Sequence, residues 1–335
     1  MSSSKRRPPG SALLLVGGLL LSLAACGGAS GTPKTPPSAD PEPSSFPAVE
    51  EGEDFRIVVH EPGVEPRRRL RFRIPEGQVE GLAMTMTQSS ETTVAGRAVP
   101  AQPDQVMEVE MRIGPTEHLP ENRYRAPMAY TKFQMPTADA PGLAEVLEPL
   151  KGIRGEVSFT DQGEILDSRL DIPGTVPAPL VELLKSLEQG LRQAVMRLPT
   201  VAVGVGARWE HQIRIATPLR LTQTTDVRLV GFEDDGRVLV LEGTVTQRGE
   251  PGTTNMPMSP PIEIERMVGD GRFRNRLPLD RLASTSEVDV TVDLRGNVDA
   301  GGQVLPMHVV TRSSTRVAPI DASAAPAEPT EPTAD

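Results

Sequence analysis

The chain has 335 residues, with 35 Lys+Arg against 45 Asp+Glu, so its formal net charge is −10. Aromatic residues make up 3% of the chain, and Cys26 is the single cysteine. Nucleic acid is bound through clustered basic side chains and through aromatic stacking, so this composition predicts no nucleic-acid partner. One cysteine permits no intramolecular disulfide, and burial and strand pairing must therefore hold the fold together.

The first 25 residues have the layout of a secretory signal peptide. A basic stretch, Lys5-Arg6-Arg7, precedes an apolar run from Ala12 to Ala25. That run is shorter than the roughly 20 residues that a membrane-spanning helix needs. We predict that residues 1–25 are removed, which leaves a mature net charge of −13.

The apolar run ends in Leu23-Ala24-Ala25-Cys26-Gly27, which resembles the lipobox of bacterial lipoproteins. The resemblance implies cleavage after Ala25, a diacylglycerol thioether on Cys26 and acylation of the new amino group. Several acyl chains make such an anchor effectively permanent. The alternative, an ordinary signal peptide, would leave an unpaired thiol on an exported protein. We therefore expect a membrane-anchored protein of the cell envelope, and Gly27 in place of an Asp favours the outer membrane.

Composition divides the rest of the chain. Residues 26–54 are rich in Gly, Ser, Pro and Thr, and they predict a lipid anchor followed by a disordered tether; residues 319–335 predict a disordered tail. Between them we expect a first β half at 55–175, an amphipathic helix at 176–199 and a second β half at 200–318.

Apolar residues alternate with charged ones through both halves, which is typical of half-buried strands. The clearest runs are Leu70–Ile74, Val106–Ile113 and Val288–Leu294. Further strands are expected at 82–88, 157–160, 166–172, 209–216, 219–232, 262–268 and 305–316. The fold class predicted is mainly β (α+β), with curved antiparallel sheets or a half-barrel.

Three Gly-containing turns predict hairpins. Asp234-Asp235-Gly236, Asp161-Gln162-Gly163 and the stretch from Asn297 to Gly301 each lie between two alternating runs. The two halves share this layout and a Gln-Ser/Thr-Ser/Thr segment, at Gln88 and at Gln223. Either a duplication or chance similarity between β segments explains the likeness.

Leucines at spacings of three and four predict an amphipathic helix at about 178–198, packed on the sheet. Leu180, Leu184 and Leu198 lie on its apolar face, and Pro199 ends it. A shorter helix is expected at Leu143–Leu150.

Catalytic motifs are missing from the sequence, and we predict that the protein is not an enzyme and has no cofactor. There is no nucleophile elbow, no zinc-protease motif and no phosphate-binding loop, and the stretch from Val203 to Ala207 predicts a β-turn instead. His60, His118, His211 and His308 lie too far apart in sequence for metal-ligand spacing.

Other polar groups have structural explanations. Asp293, Asn297 and Asp299, like Asp161, Glu164 and Asp167, suggest calcium ligands but fit hairpin hydrogen bonds better. Glu108 and Glu110 are expected on a solvated strand face. Trp209 is expected to fill the core, as are Met84, Met86, Met107 and Met111, although methionines also suit an adaptable apolar pocket.

The strand series and the Leu180–Leu198 helix resemble the LolA/LolB-type half-barrel group in architecture, and the whole resembles uncharacterised envelope lipoproteins of high-GC Gram-negative bacteria. The first hypothesis is a non-catalytic lipoprotein that binds an apolar ligand or acyl chain. The second is a structural or assembly partner of an envelope protein, and the third is a hydrolase whose site assembles only in three dimensions. The membrane, reached through lipid on Cys26, and a lipid or an envelope protein are the expected partners.

Overall fold

The structure is a computed structural model, and most of the two predicted β halves lies within the residues that it describes. These are residues 46–52, 55–136, 147–174, 176–177, 180–181, 184–185, 188, 196–215, 220–254 and 261–322. The predicted signal peptide and Cys26 lie outside them.

Sixteen strands form one antiparallel sheet. They are β1 (Ala48–Glu51), β2 (Phe55–Glu61), β3 (Glu80–Val94), β4 (Arg97–Ala98), β5 (Gln105–Ile113), β6 (Glu117–Leu119), β7 (Arg123–Gln134), β8 (Arg154–Thr160), β9 (Ile165–Asp171), β10 (Arg208–Ile215), β11 (Leu221–Glu233), β12 (Val238–Gly249), β13 (Gly252–Thr254), β14 (Ile262–Pro278), β15 (Thr285–Asp299) and β16 (Val304–Ile320). The predicted mainly β fold is confirmed as one large open sheet.

Two meanders make up this sheet. The first runs β3-β5-β7-β8-β9 and the second runs β10-β11-β12-β14-β15-β16, and β16 pairs with β3 to join them. The strands β1 and β2 lie beside β10. In the described residues β1 and β9, at the two ends of the order, do not pair with each other, so the sheet is open.

Alternation along the strands separates an inner face from an outer face. In β15 the side chains of Val288, Val290 and Val292 are buried, whereas Glu287 and Asp289 are exposed. We call the face that carries the buried side chains the inner face and the opposite one the outer face. Because successive residues point to opposite sides of a strand, the period-two pattern in the sequence reports this division directly.

The segment from Leu70 to Ile74 corrects one strand prediction. Leu70, Phe72 and Ile74 are buried as their spacing suggests, but they belong to no strand. They lie in the connection from β2 to β3, which have six strands between them in the sheet order. The backbone N–H of Phe72 donates to Asp161 O at 2.7 Å, and that of Arg73 donates to Leu279 O at 2.6 Å. The connection therefore spans the ends of several strands at one end of the sheet.

The predicted helix at 178–198 is not confirmed as a whole. Residues 180, 181, 184, 185 and 188 are helical, and Leu180 and Leu184 are buried. Met196, Arg197 and Leu198 have no regular secondary structure, so the helix ends earlier than the sequence predicts. The second predicted helix is described only from Leu147, where a 3-10 turn covers Glu148–Leu150.

Three boundaries differ from the sequence analysis. Strand β1 begins at Ala48, inside the predicted tether, because its backbone pairs with β2. Strand β16 continues to Ile320, inside the predicted tail, because it pairs with β3 as far as Gly81. The third predicted hairpin turns later, since Asn297 and Asp299 still belong to β15. The hairpins at Asp161–Gly163 and Asp234–Gly236 are confirmed.

Candidate functional site

Four polar side chains lie together on the inner face of β10, β11 and β12. They are His211, Gln223, Thr225 and Gln247, which we call the polar cluster. Their exposed fractions are 2%, 0%, 4% and 0%. Burial of polar groups without hydrogen bonds is costly, so the polar cluster departs from an ordinary apolar core.

Strand register brings these four residues together. His211 on β10 is the direct partner of Thr225 on β11. Gln223 on β11 is the direct partner of Gln247 on β12. Side chains opposite each other on neighbouring antiparallel strands stand about 5 Å apart, and diagonal neighbours about 7 Å apart. All four therefore occupy one continuous patch.

The two glutamines bond to each other and leave one donor and one acceptor unused. Gln247 Nε2 donates to Gln223 Oε1 at 2.9 Å. Within the described residues, Gln223 Nε2 and Gln247 Oε1 have no hydrogen-bond partner. Exchanging the nitrogen and oxygen of both amides gives the same outcome, because each side chain carries one donor group and one acceptor. The pair thus presents complementary hydrogen-bonding capacity in a buried place.

Gly269, on the neighbouring strand β14, makes room for this pair. It lies opposite Gln247 in the register. A Cβ placed on Gly269 would lie 2.8 Å from Gln247 Oε1 and 3.1 Å from Gln247 Cβ. A residue with a side chain would push the Gln247 amide away, so the glycine fixes where the free oxygen lies.

His211 is held neutral at physiological pH. Burial, and secondarily the nearby positive charge of Arg197, lowers the pKa of His211 to about 4. Its Nε2 has no hydrogen-bond partner among the described residues, and the same holds for Trp209 Nε1, two residues earlier on the same face. Two further polar atoms therefore lie unused beside the glutamine pair.

A buried ion pair is the nearest charged feature to His211. Arg197 Nη1 lies 2.9 Å from Glu164 Oε1, with side chains 10% and 13% exposed. The Arg197 guanidinium also stacks on the Phe55 ring at 3.7 Å. The backbone N–H of Leu198 donates to Gln162 O at 2.8 Å and fixes this segment to the β8–β9 turn. Since the two charges neutralise each other, the pair adds no net charge to the inner face.

Apolar side chains surround the polar cluster on the inner face. Val227, Leu229 and Val245 are fully buried on β11 and β12. On the far side of the β16–β3 joint, Met86 and Met107 face each other in register and are both 1% exposed. The predicted placement of these two methionines on an apolar face is confirmed. The result is a broad apolar face that carries the polar cluster and other buried polar side chains, among them Asn275 and Ser286.

A second set of buried polar residues lies on β16 and β3. Ser313 is the direct partner of Gln88, and Thr311 follows on the same face. Gln88 Oε1 has no hydrogen-bond partner within the described residues. This set is smaller than the polar cluster, because it offers a single unused amide oxygen.

The histidines named by the sequence lie on four different strands. His60 is exposed on β2, and His118 Nε2 lies 2.6 Å from Ile74 O. His308 Nε2 lies 3.1 Å from Asp293 Oδ2 on the neighbouring strand. His211 is the one that lies in the polar cluster. From the sequence it is a lone histidine, because Gln223, Thr225 and Gln247 come from other strands.

The acidic groups named by the sequence take part in local contacts. Glu108 and Glu110 both contact Lys132, at 2.8 and 3.5 Å. Asp299 Oδ1 accepts the backbone N–H of Gly302 at 2.6 Å, as the turn chemistry predicts. The unexpected member is Glu164, which pairs with the buried Arg197.

The sequence contains a signal for the polar cluster. On β11 the buried positions are Leu221, Gln223, Thr225, Val227 and Leu229. Two polar residues, Gln223 and Thr225, therefore stand where the alternation predicts apolar side chains. In the sequence, Gln223 also belongs to the Gln-Ser/Thr-Ser/Thr segment that the two halves share. Polar residues at buried positions of a strand are the pattern that indicates a buried polar site.

The outer face is charged and carries two grooves. The larger has a volume of about 820 Å³ and is lined by side chains of both signs, among them Arg208, Asp226, Arg272 and Asp289. The smaller, of about 570 Å³, includes Asp270 and Arg312. Their opposite charges alternate across neighbouring strands, so neither groove selects an anion or a cation.

Comparisons with known proteins give no assignment. No protein-family model matches the chain, and no curated protein matches it either. In the described part of the chain, no three His, Cys, Asp or Glu side chains come together as metal ligands. No helix within those residues has the length and apolar character to span a membrane. The polar cluster is therefore the feature on which a function has to be argued.

Proposed function

We propose that the chain is a membrane-anchored envelope lipoprotein whose β-rich body binds an apolar ligand or acyl chain without catalysis. The observation that carries the proposal is the polar cluster, whose Gln223, Gln247 and His211 atoms have unused hydrogen-bonding capacity on an apolar face. Binding sites for small molecules combine a mostly apolar lining with a few placed polar groups.

The unused polar atoms favour a bound molecule over a purely structural core. Each buried donor or acceptor that lacks a partner costs about 1–3 kcal/mol. Gln223 and Gln247 at 0% exposure would be better replaced by leucine if packing were their only role. Their presence supports a role in which their free atoms meet a ligand.

The anchor is the second part of the proposal, and it depends on the sequence alone. Leu23-Ala24-Ala25-Cys26 supports lipidation of Cys26 and retention at a membrane, with the outer membrane favoured by Gly27. Replacing Cys26 with Ser in the full chain should abolish labelling by an alkyne fatty acid and release the protein from the membrane fraction. A Cys26→Ser chain that is still processed, labelled and retained would contradict the anchor.

A scaffold role is the second candidate. In the described residues, β1 and β9 each pair on one side, so an edge is open at both ends of the sheet. Open edges accept a strand from another protein. A protein that co-purifies in fixed proportion with the full chain, and that is lost after a Pro substitution in β9, would support this role.

A hydrolase is the least supported hypothesis. Thr225 lies opposite His211 and offers a hydroxyl. However, a general base works best when its pKa lies near the working pH, and the pKa of His211 is lowered to about 4. The pair is therefore poorly suited to activate a nucleophile.

Ligand binding is tested by analysing what the protein carries. The full lipidated chain is extracted from membranes with a mild detergent, purified, and denatured in organic solvent, and the released molecules are measured by mass spectrometry. We expect one lipid-like class at close to one molecule per chain. Recovery of only the bulk membrane lipids, in the proportions of the membrane, would contradict the proposal.

A further inference from the structure

We infer that the polar cluster binds an uncharged group that both donates and accepts hydrogen bonds, of the carboxamide type, at the polar end of the ligand. This inference rests on the proposed ligand-binding function and narrows it to a chemical class. It starts from the glutamine pair, in which Gln223 Nε2 and Gln247 Oε1 are left without partners.

Geometry supports a carboxamide because the two free atoms belong to bonded amides. Since Gln247 Nε2 and Gln223 Oε1 are 2.9 Å apart, the free donor and the free acceptor lie on either side of one hydrogen bond. A carboxamide carries its own donor and acceptor on one carbon, so it offers a partner of the right kind to each free atom. A hydrocarbon would satisfy neither atom, and an ester would satisfy only the donor.

Charge argues against a carboxylate or phosphate. Gln223, Gln247 and Thr225 are uncharged, and Arg197, the cation that acts on His211, is paired with Glu164 at 2.9 Å. The shifted pKa of His211 keeps the imidazole neutral at pH 7. An anion would also meet the free Gln247 oxygen, an acceptor that repels it. Burying a charge without a counter-charge is far more costly than burying a neutral amide.

Two unpaired ring nitrogens on β10 suit further polar atoms of the same ligand. Trp209 Nε1 has no partner in the described residues, and His211 Nε2 has none either. Both side chains are buried, at 0% and 2% exposure, on the strand next to Gln223. Because His211 lies opposite Thr225 and Trp209 opposite Val227, polar atoms further along the ligand from the amide would meet them. Hydrogen bonds formed in such a water-poor place are stronger than bonds at the surface.

Trp209 also provides the readout, because it is the only tryptophan of the chain and lies two residues from His211. The full lipidated chain is kept in a fluorinated surfactant, whose tails mix poorly with hydrocarbon probes. It is titrated with dodecanamide, dodecanoate, methyl dodecanoate and dodecane, while the Trp209 fluorescence is followed. We expect dodecanamide to bind about tenfold or more tighter than the other three probes.

Variants separate the head-group recognition from chain binding. In Gln223→Leu/Gln247→Leu, dodecanamide should bind about as weakly as the other three probes, while weak binding of all four remains. Gln212→Leu is the matched control, since Gln212 lies on β10 but on the outer face, where it contacts Thr224. It should keep the tenfold preference. Thermal unfolding of each variant shows that it is folded.

The possible outcomes distinguish the two claims. Equal binding of all four probes, unaffected by the double substitution, would leave the ligand-binding function standing and overturn the carboxamide inference. Tighter binding of dodecanoate, lost in Arg197→Met, would overturn it in favour of an anion. Absence of binding by every probe would overturn both.

Discussion

The polar groups on the two faces of the sheet differ in their exposure to water and in how completely they are hydrogen-bonded. On the outer face, Arg316 and Glu287 form an ion pair at 3.6 Å with side chains 74% and 65% exposed. On the inner face, Gln223 and Gln247 are completely buried and only half satisfied. Outer polar atoms can turn to water, so their pairing contributes little to stability. Inner polar atoms cannot, so they mark where a specific interaction is required.

The largest contrast is expected between a buried ion pair and an exposed one. Arg197→Met leaves the Glu164 carboxylate buried without its partner and removes the stacking on Phe55. We expect a loss of about 3 kcal/mol in the free energy of unfolding, measured by urea denaturation. The matched outer change, Arg316→Met, should alter it by less than about 0.5 kcal/mol. Equal effects of the two changes would remove the distinction between the faces.

The second contrast is in pH dependence. The pKa of His211 is lowered to about 4, so the unfolded chain binds more protons than the folded chain between pH 4 and about 6.5. Stability therefore falls as the pH falls through this window, and His211 should contribute a loss of about 2 kcal/mol between pH 7 and pH 5. Urea denaturation of His211→Gln at both pH values should lack this contribution. The control for the substitution itself is His60→Gln, a change of the same kind at an exposed position of β2.

The third contrast concerns the glutamine pair itself. Replacing both side chains in Gln223→Leu/Gln247→Leu removes two unsatisfied polar atoms from an apolar face, and we expect it to raise the free energy of unfolding by about 1 kcal/mol. Gln223→Leu alone should lower it, because the Gln247 side chain then loses the one hydrogen bond that it makes among the described residues. Denaturant midpoints of the three proteins measure the difference. A double variant that is strongly destabilised would mean that the pair serves packing rather than binding.

The smallest effect is expected at Gly269. A Cβ there would lie 2.8 Å from Gln247 Oε1, at the far end of a flexible side chain. Gly269→Ala should therefore change the free energy of unfolding by less than about 1 kcal/mol. Alanine lowers the conformational entropy that the strand loses on folding, and this gain offsets the cost of moving the Gln247 amide. Binding of the dodecanamide probe should weaken several-fold, as measured by Trp209 fluorescence. A weakened stability with unchanged probe binding would show that Gln247 does not hold the ligand.

The fold was largely predictable because period-two alternation reports both the strand and its buried side. Val288, Val290 and Val292 were placed correctly for that reason. The pairing of β16 with β3, and of β2 with β10, was not predictable, since partner choice depends on contacts far apart in sequence. The segment from Leu70 to Ile74 shows the limit of the pattern. Alternation reports an extended chain with one buried side, and it does not identify what the backbone bonds to.

The site was predictable only in part. Gln223 and Thr225 occupy the buried phase of β11, and this could have been noticed in the sequence. Their meeting with Gln247 and His211 depends on the registers of three strands. The neutral state of His211 depends on burial and on Arg197, which comes from a connecting segment with no strand or helix of its own. The spacing of residues along the chain predicts neither these registers nor the protonation state of His211.

One comparison tests the central claim, that the polar cluster holds a ligand, most directly. The full lipidated chain, the Gln223→Leu/Gln247→Leu variant and the outer-face Gln212→Leu control are purified from membranes in parallel, and the molecules released on denaturation are quantified by mass spectrometry. We expect one ligand class at similar amounts in the wild type and in Gln212→Leu, reduced at least tenfold in the double variant. Equal amounts in all three proteins, with the double variant folded, would contradict the account.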